Sequence, residues 1–268
     1  MTVETIRTDT PDNPTYSIIV PVRGRHGAML RNCLRSIQLQ TLPQIELIIV
    51  DYGSTQENHE ELLEMLPPCT LYRYKTTEPW SLSAARNIGL RRAKAPLSVA
   101  FDADLIMEPR TLERAYFNHM EHADTYQTSQ VTLLNEGAID PETIELPYDY
   151  HLLSNAKATY MSEGWGGFTS APRTWWNKCQ GFNEEMKLWG WEDVDMWKRA
   201  ARAGMNRVRL SDTHVKDTYI YHQPHHNVQQ QALKQKETIT LNTIKYNERL
   251  TKLSRGYIRN DEHWGNQP

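Results

Sequence analysis

Apolar, largely β-branched runs at Tyr16 to Val22 and Ile45 to Val50 read as buried strands, and between them Leu30, Cys33, Leu34 and Ile37 fall at helical spacing across Met29 to Leu39. Strand, helix and strand in that order make a βαβ unit, which implies a parallel sheet. The pattern continues with a helix at about Asn58 to Met65, a strand at Thr70 to Tyr74, a helix at Ser83 to Ala93 and a strand at Leu97 to Phe101. This alternation predicts a Rossmann-like α/β fold with a mostly parallel sheet flanked by helices, and a nucleotide at the carboxyl ends of its strands. Residues 1–15 read as a polar leader, so order is expected to begin at Tyr16.

The second half loses the clean alternation. Six of the eight tryptophans fall between Trp165 and Trp197, where such rings either line a sugar site or fill the core. Val194, Trp197, Ala200 and Ala201 predict a helix from Glu192 to about Ala203, and Tyr219 to His222 ends a strand. From Val228 the chain is rich in Gln, Lys and Asn, with Leu233, Ile239, Ile244 and Leu250 loosely at helical intervals, which suggests a peripheral helix and a frayed tail. With no internal repeat and no linker-like boundary, the expectation is one domain over residues 16–225, in halves 16–110 and 111–225, followed by a helical extension over 226–268.

Composition narrows the function. Thirty basic against thirty-three acidic residues give a formal charge of −3, without the basic field of a nucleic-acid binder. The apolar runs are far shorter than the ~20 residues that cross a bilayer, and the first fifteen residues lack a signal peptide's apolar core, so no transmembrane segment and a cytoplasmic location are expected. Three cysteines, Cys33, Cys69 and Cys179, without close metal-ligand spacing suit reduced structural thiols.

Asp102-Ala-Asp104 follows the strand Leu97 to Phe101, so two carboxylates emerge on one side at the sheet's carboxyl edge, within reach of one Mg²⁺ or Mn²⁺ that keeps positions for phosphate oxygens. Glu192 and Asp193 open a helix, where acidic residues are also ordinary capping chemistry; behind Trp189-Gly-Trp191 such a carboxylate is well placed to take a proton from a hydroxyl. His222, His225 and His226 cluster beyond a strand end, and one of them reads as a metal ligand, since imidazole favours Mn²⁺.

Val20-Pro-Val-Arg23, Val50-Asp-Tyr-Gly-Ser54, Ala84-Ala-Arg-Asn-Ile-Gly89 and Phe101-Asp-Ala-Asp104, in this order, resemble the nucleotide-sugar half of GT-A glycosyltransferases of the family 2 type. Gly166-Gly-Phe-Thr-Ser-Ala171, Gly181-Phe-Asn183 and Trp189-Gly-Trp-Glu-Asp-Val-Asp195 resemble the C-terminal half of β1,4-galactosyltransferases and of chondroitin-type and polypeptide N-acetylgalactosaminyl transferases. The resemblance implies a GT-A fold and transfer of a hexosyl group (GalNAc, Gal or GlcNAc) from a UDP-sugar to a hydroxyl of a glycan or other acceptor, with inversion. It implies that Pro21, Val22 and Arg23 line the uridine pocket, Asp51 bonds the uracil or ribose, Arg86 stands near the base and Asp102, and Asp102 holds the ribose. Ala103, Gly167 and Trp189 would complete the nucleotide-sugar site, with Asp104 and His222 on Mn²⁺ or Mg²⁺. Asp193 matches the catalytic base, Glu192 a partner of the acceptor or donor sugar, and Asp195 a structural acid. Tyr52 stands where the family commonly has a second Asp, and Trp191 where it usually has a second Gly. By the same resemblance, Gly164 would leave room at the donor's second carbon, which suggests UDP-N-acetylgalactosamine or UDP-N-acetylglucosamine as readily as UDP-galactose, the first being preferred, and the Gln-rich stretch after His222 would be mobile without ligand and close over bound donor. The competing readings are a sugar-1-phosphate nucleotidyltransferase and a non-catalytic glycan-binding module.

Overall fold

The computed structural model describes residues 2–25, 27–160, 166–210, 218–224 and 238–266. Four strands, β2 (Tyr16–Val22), β3 (Ile45–Tyr52), β4 (Thr70–Tyr74) and β5 (Leu97–Phe101), pair in parallel in the order β4-β3-β2-β5. They are linked by α1 (Ala28–Gln38), α2 (Gln56–Met65) and α3 (Leu82–Arg92). Every residue of β2 is buried, because both faces of this sheet are covered. Tyr16, Ile18, Val20 and Val22 pack with Leu30, Cys33 and Leu34 on one side, while Ile19 packs with Ile48, Val50, Ala85 and Ile88 on the other.

The leader is not wholly irregular. β1 (Val3–Arg7) pairs antiparallel with β4 at the sheet's edge, a largely exposed strand whose order comes from the ladder it completes and not from apolar burial. Beyond β5 the large sheet turns mixed: β10 (Phe168–Pro172) runs antiparallel to β5 and to β7 (Thr125–Thr128), and β11 (Asn206–Arg209) runs parallel to β7. A smaller sheet holds β6 (Leu105–Met107), β12 (Ile220–His222), β8 (Thr132–Leu134) and β9 (Ala158–Tyr160), in the order β6-β12-β8-β9. These short strands carry too few alternations to read from the chain. Helices α4 (Thr111–Glu121), α5 (Tyr150–Asn155), α6 (Arg173–Cys179), α7 (Glu192–Arg202) and α8 (Thr238–Leu253) complete the described elements.

Three features position the site. The chain leaves the large sheet at Phe101 and enters the small one at Leu105, so Asp102 to Asp104 form the crossing between them. Pairing of β12 with β6 sets His222 opposite Leu105 and thus beside Asp104. Helix α3 lies close on the sheet because a Cβ at Gly89 would come within 2.5 Å of Ile19 Cγ2, and one turn earlier on α3 stands Arg86.

Residues 262–265, expected in a frayed tail, are docked on α3. Arg91 donates to the carbonyls of Glu262 and Trp264 at 2.7 and 2.8 Å, Arg92 donates to the carbonyl of Gly265, and Trp264 is buried. No helix among the described residues is long and apolar enough to cross a membrane.

Candidate active site

Arg86 organises the cleft. Its guanidinium is completely buried and donates to Asp102 Oδ1 at 2.6 Å and to the Gly166 carbonyl at 2.8 Å, with Glu192 Oε1 3.5 Å from Nη1 and the Phe182 ring centroid 5.1 Å from Cζ. A solvent-exposed salt bridge would contribute little; this one joins the acidic pair after β5 to the acidic start of α7. Asp102 Oδ1 is accordingly held by a buried cation.

Glu192 lines the cleft, and its Oε2 is buried without a hydrogen-bond partner among the described residues, as are Nε and Nη1 of Arg86 with respect to hydrogen bonds. Burial pushes the Glu192 carboxyl up to about 7, the charge of Asp193 adds to this, and Arg86 opposes it. Burial also raises Asp193, against the Val194 N–H that donates to its Oδ1 at 2.8 Å. Gly166 makes room for that side chain, since a Cβ there would lie 2.9 Å from the Cβ of Asp193. A Cβ at Gly167 would lie 2.6 Å from Leu105 Cδ1 and 3.5 Å from Asp102 Oδ2, so the glycine pair fits between the two acidic elements. Asp195 is turned away, paired with Arg199 at 3.5 Å and Arg259 at 3.9 Å.

Asp104 Oδ1 stands 3.9 Å from His222 Nε2, and its Oδ2 accepts from Arg25 Nη1 at 2.9 Å. Among the described residues no three His, Cys, Asp or Glu side chains converge as a metal cage. A hard cation held by one or two protein groups and by substrate phosphates needs no such cage. Asp104 and His222 stand side by side, so that they would present a carboxylate and an imidazole to one ion, and a cation, the Arg25 guanidinium, already sits on Asp104. Oxygen and imidazole donors therefore fit Mn²⁺ or Mg²⁺.

Pro21, Ala103 and Trp189 line the cleft of about 230 Å³ together with Arg25, Trp80, Leu82, Asp102, Asp104, Glu192 and His222. Other expected nucleotide residues lie elsewhere. The Val22 side chain is in the core, and Arg23 donates to the Glu78 carbonyl at 2.7 Å. Asp51 is fully buried, bonded to His59 Nδ1 at 2.6 Å and accepting from the Ser54 N–H at 3.1 Å, with Arg73 Nε at 3.6 Å. Its carboxylate braces the turn after β3 and does not line the cleft. Tyr52 packs on Tyr74 and edge-on to Trp80, filling the place of a second acid with an aromatic wall. Trp191 keeps a glycine's backbone, with φ 73°, while Lys252 lies over its ring.

The sequence missed Trp80, Arg25 and Gln223. Gln223 is buried and donates from Nε2 to the carbonyls of Met29 and Asp104 at 2.9 and 3.2 Å, so the first residue after His222 brackets the start of α1 to the acidic crossing. Nothing in the composition around it signals this. The tryptophans divide between the two expected roles: Trp80 and Trp189 line the cleft, while Trp175 and Trp176 are buried in the core. The three cysteines are buried free thiols, and Cys33 donates to the Asp102 carbonyl at 3.6 Å. Gly164, Trp165, His225, His226 and the rest of the Gln-rich stretch lie outside the described residues.

The profile described as N-terminal domain of galactosyltransferase matches residues 150–226. Chondroitin sulfate synthase 3 of Homo sapiens is 25% identical over 222 residues, which are 78% of this chain and 24% of that protein. GalNAc-T7 with UDP, GalNAc and Mn²⁺ has a TM-score of 0.58 at 15% identity, covering 79% of this chain and 44% of the other. TarS of S. aureus in complex with UDP-GlcNAc has a TM-score of 0.56 at 19% identity, covering 80% and 59%. The chain thus spans less than two thirds of each of these proteins, and the structural likeness establishes the GT-A fold. Since the glycosyl transferase family 2 profile matches residues 17–177, from the first parallel strand through the acidic crossing to the glycine pair against Asp193, the chain belongs to that family.

Proposed function

We propose that the cleft transfers a hexosyl group from a UDP-sugar to a hydroxyl group of a glycan acceptor, with inversion at the anomeric carbon. One observation carries this reading: Arg86 ties Asp102, at the carboxyl edge of the sheet, to Glu192 beside Asp193 at the start of α7, so the acidic crossing after β5 and the acidic start of α7 meet at one cleft. Asp193 takes the proton of the acceptor hydroxyl as its oxygen bonds to the anomeric carbon, the bond from that carbon to the diphosphate oxygen breaks, and UDP departs with the bonding pair. A single displacement inverts the centre. Glu192, whose Oε2 has no hydrogen-bond partner among the described residues, accepts from a sugar hydroxyl. Trp80 and Trp189 offer flat apolar faces to uracil or sugar rings. Asp104 and His222 would hold a divalent ion, which when bound offsets charge developing on the departing diphosphate. The molecules bound in the GalNAc-T7 and TarS structures support a UDP-N-acetylhexosamine donor, GalNAc before GlcNAc or Gal.

A panel of UDP-sugars with Mn²⁺, with and without excess chelator, tests the reading. We expect UDP release that chelator abolishes, and an Asp193→Asn variant whose kcat falls at least ~10²-fold with UDP-sugar affinity within about twofold of wild type. Full turnover in chelator would remove the metal from the scheme, and equal loss of donor binding in the variant would make Asp193 a structural residue.

A further inference from the structure

Arg25 lines the cleft, and it is held differently from the two other arginines already described. Arg86 is buried among two carboxylates and a carbonyl, and Arg23 is fixed by the Glu78 carbonyl. Arg25 is partly exposed, and among the described residues its ion pair is with Asp104 Oδ2 at 2.9 Å. It sits in the turn after β2, between Gly24 and Gly27, both with positive φ, so the backbone around it is of a kind that side chains do not stiffen. Its partner is the carboxylate that best fits a divalent ion. A guanidinium and a divalent cation repel each other at contact distance, so the two compete for one carboxylate.

We propose that Arg25 is an exchangeable counter-ion: it holds Asp104 in the donor-free cleft, leaves when a divalent ion arrives, and then engages the donor's diphosphate. The inference rests on the reading of the cleft as a UDP-sugar and metal site. A forked, permanently charged guanidinium matches phosphate oxygens in two-pronged fashion, which makes the diphosphate its natural second partner. Metal and nucleotide are thereby coupled. Displacing Arg25 weakens binding of the metal alone, and the diphosphate offsets that cost by taking Arg25 up, so each ligand strengthens the other by the same factor.

The test is a set of calorimetric titrations on the full chain with MnCl₂ alone, and with UDP at saturating Mn²⁺, for wild type, Arg25→Gln and Arg25→Lys. Arg25→Gln removes the competitor, so Mn²⁺ alone should bind tighter, by up to about fivefold, the upper end of a partly exposed ion pair. UDP with Mn²⁺ should bind about tenfold more weakly, as expected for a lost charge-assisted contact. Arg25→Lys keeps the competing charge and loses the fork, so Mn²⁺ affinity should stay within about twofold while UDP affinity falls by an intermediate factor. Weaker binding of Mn²⁺ alone in either variant, or unchanged affinity for both ligands in Arg25→Gln, overturns the exchange. If the wild type binds neither Mn²⁺ nor UDP, the donor-site reading itself fails; if it binds both and the variants behave like wild type, only the role of Arg25 fails.

Discussion

Glu192 carries a carboxyl that burial and the neighbouring Asp193 raise from 4.5 to about 7, and this has a consequence for stability. The folded state holds that proton more tightly than the unfolded chain, so the associated stability is fully present below about pH 4.5 and is lost as pH rises toward 7. Glu192→Gln imitates the protonated form at every pH. Its stability advantage over wild type should therefore grow between pH 4.5 and pH 8 by about 2–3 kcal/mol, read from denaturant unfolding at the two pH values. An advantage that does not change with pH would mean the carboxyl is not raised. Trp191 illustrates a different residue-scale cost. Its left-handed φ of 73° is strained by about 1–2 kcal/mol for a residue with a Cβ, yet it sets the Trp191 carbonyl to accept from the Asp195 N–H at 2.9 Å and so starts α7 where Glu192 meets Arg86.

Helix α3 works as one element that fixes the whole cleft. Its buried face runs from Ser83 to Leu90, and its approach to the sheet is limited by Gly89 against Ile19 and Val50. Alanine in place of Gly89 gains about 1 kcal/mol of helix propensity. The new methyl would lie 2.5 Å from a side chain on the central strand, which is packed on both faces and cannot withdraw. Overpacking of that kind costs about 1–3 kcal/mol and outweighs the propensity gain. Gly89→Ala should thus lower unfolding stability by up to about 2 kcal/mol and weaken the proposed UDP binding through displacement of Arg86. Increased stability, read from the same unfolding curves, would show that α3 can shift freely.

At the scale of the molecule, the C-terminal segment is part of the scaffold. Gly265 donates its N–H to Glu184 Oε1 at 2.8 Å, the same oxygen that accepts from Asn87 Nδ2 at 2.8 Å, and Trp264 packs beside Gly181 with the Arg91 guanidinium over its ring. The end of the chain therefore clamps α3 at the residue next to Arg86. Trp264→Ala should cost about 3 kcal/mol, as for other buried aromatic truncations, and lower the thermal midpoint by roughly 6–12 °C. A midpoint within about 2 °C of wild type would mean the tail is only loosely attached.

The parallel core was legible in the chain because its causes are local. Strands buried on both faces must be apolar throughout, as Tyr16 to Val22 are, and an amphipathic helix must repeat its apolar positions every turn, as Leu30, Cys33, Leu34 and Ile37 do. The same locality made the acidic pairs visible, since Asp102 and Asp104 share one turn and Glu192 and Asp193 share one helix start. Pairings between distant segments left no such mark. Asp51 has the sequence context of a nucleotide ligand, yet the fold turns it inward onto His59. Arg25 and Asp104 are 79 positions apart and Gln223 and Asp104 are 119 apart, and no periodicity reaches across such separations. Unbroken apolar runs and helical spacing determine which segments are buried; only the packed sheets, by bringing the ends of β2, β5 and β12 together, decide which charges face each other there.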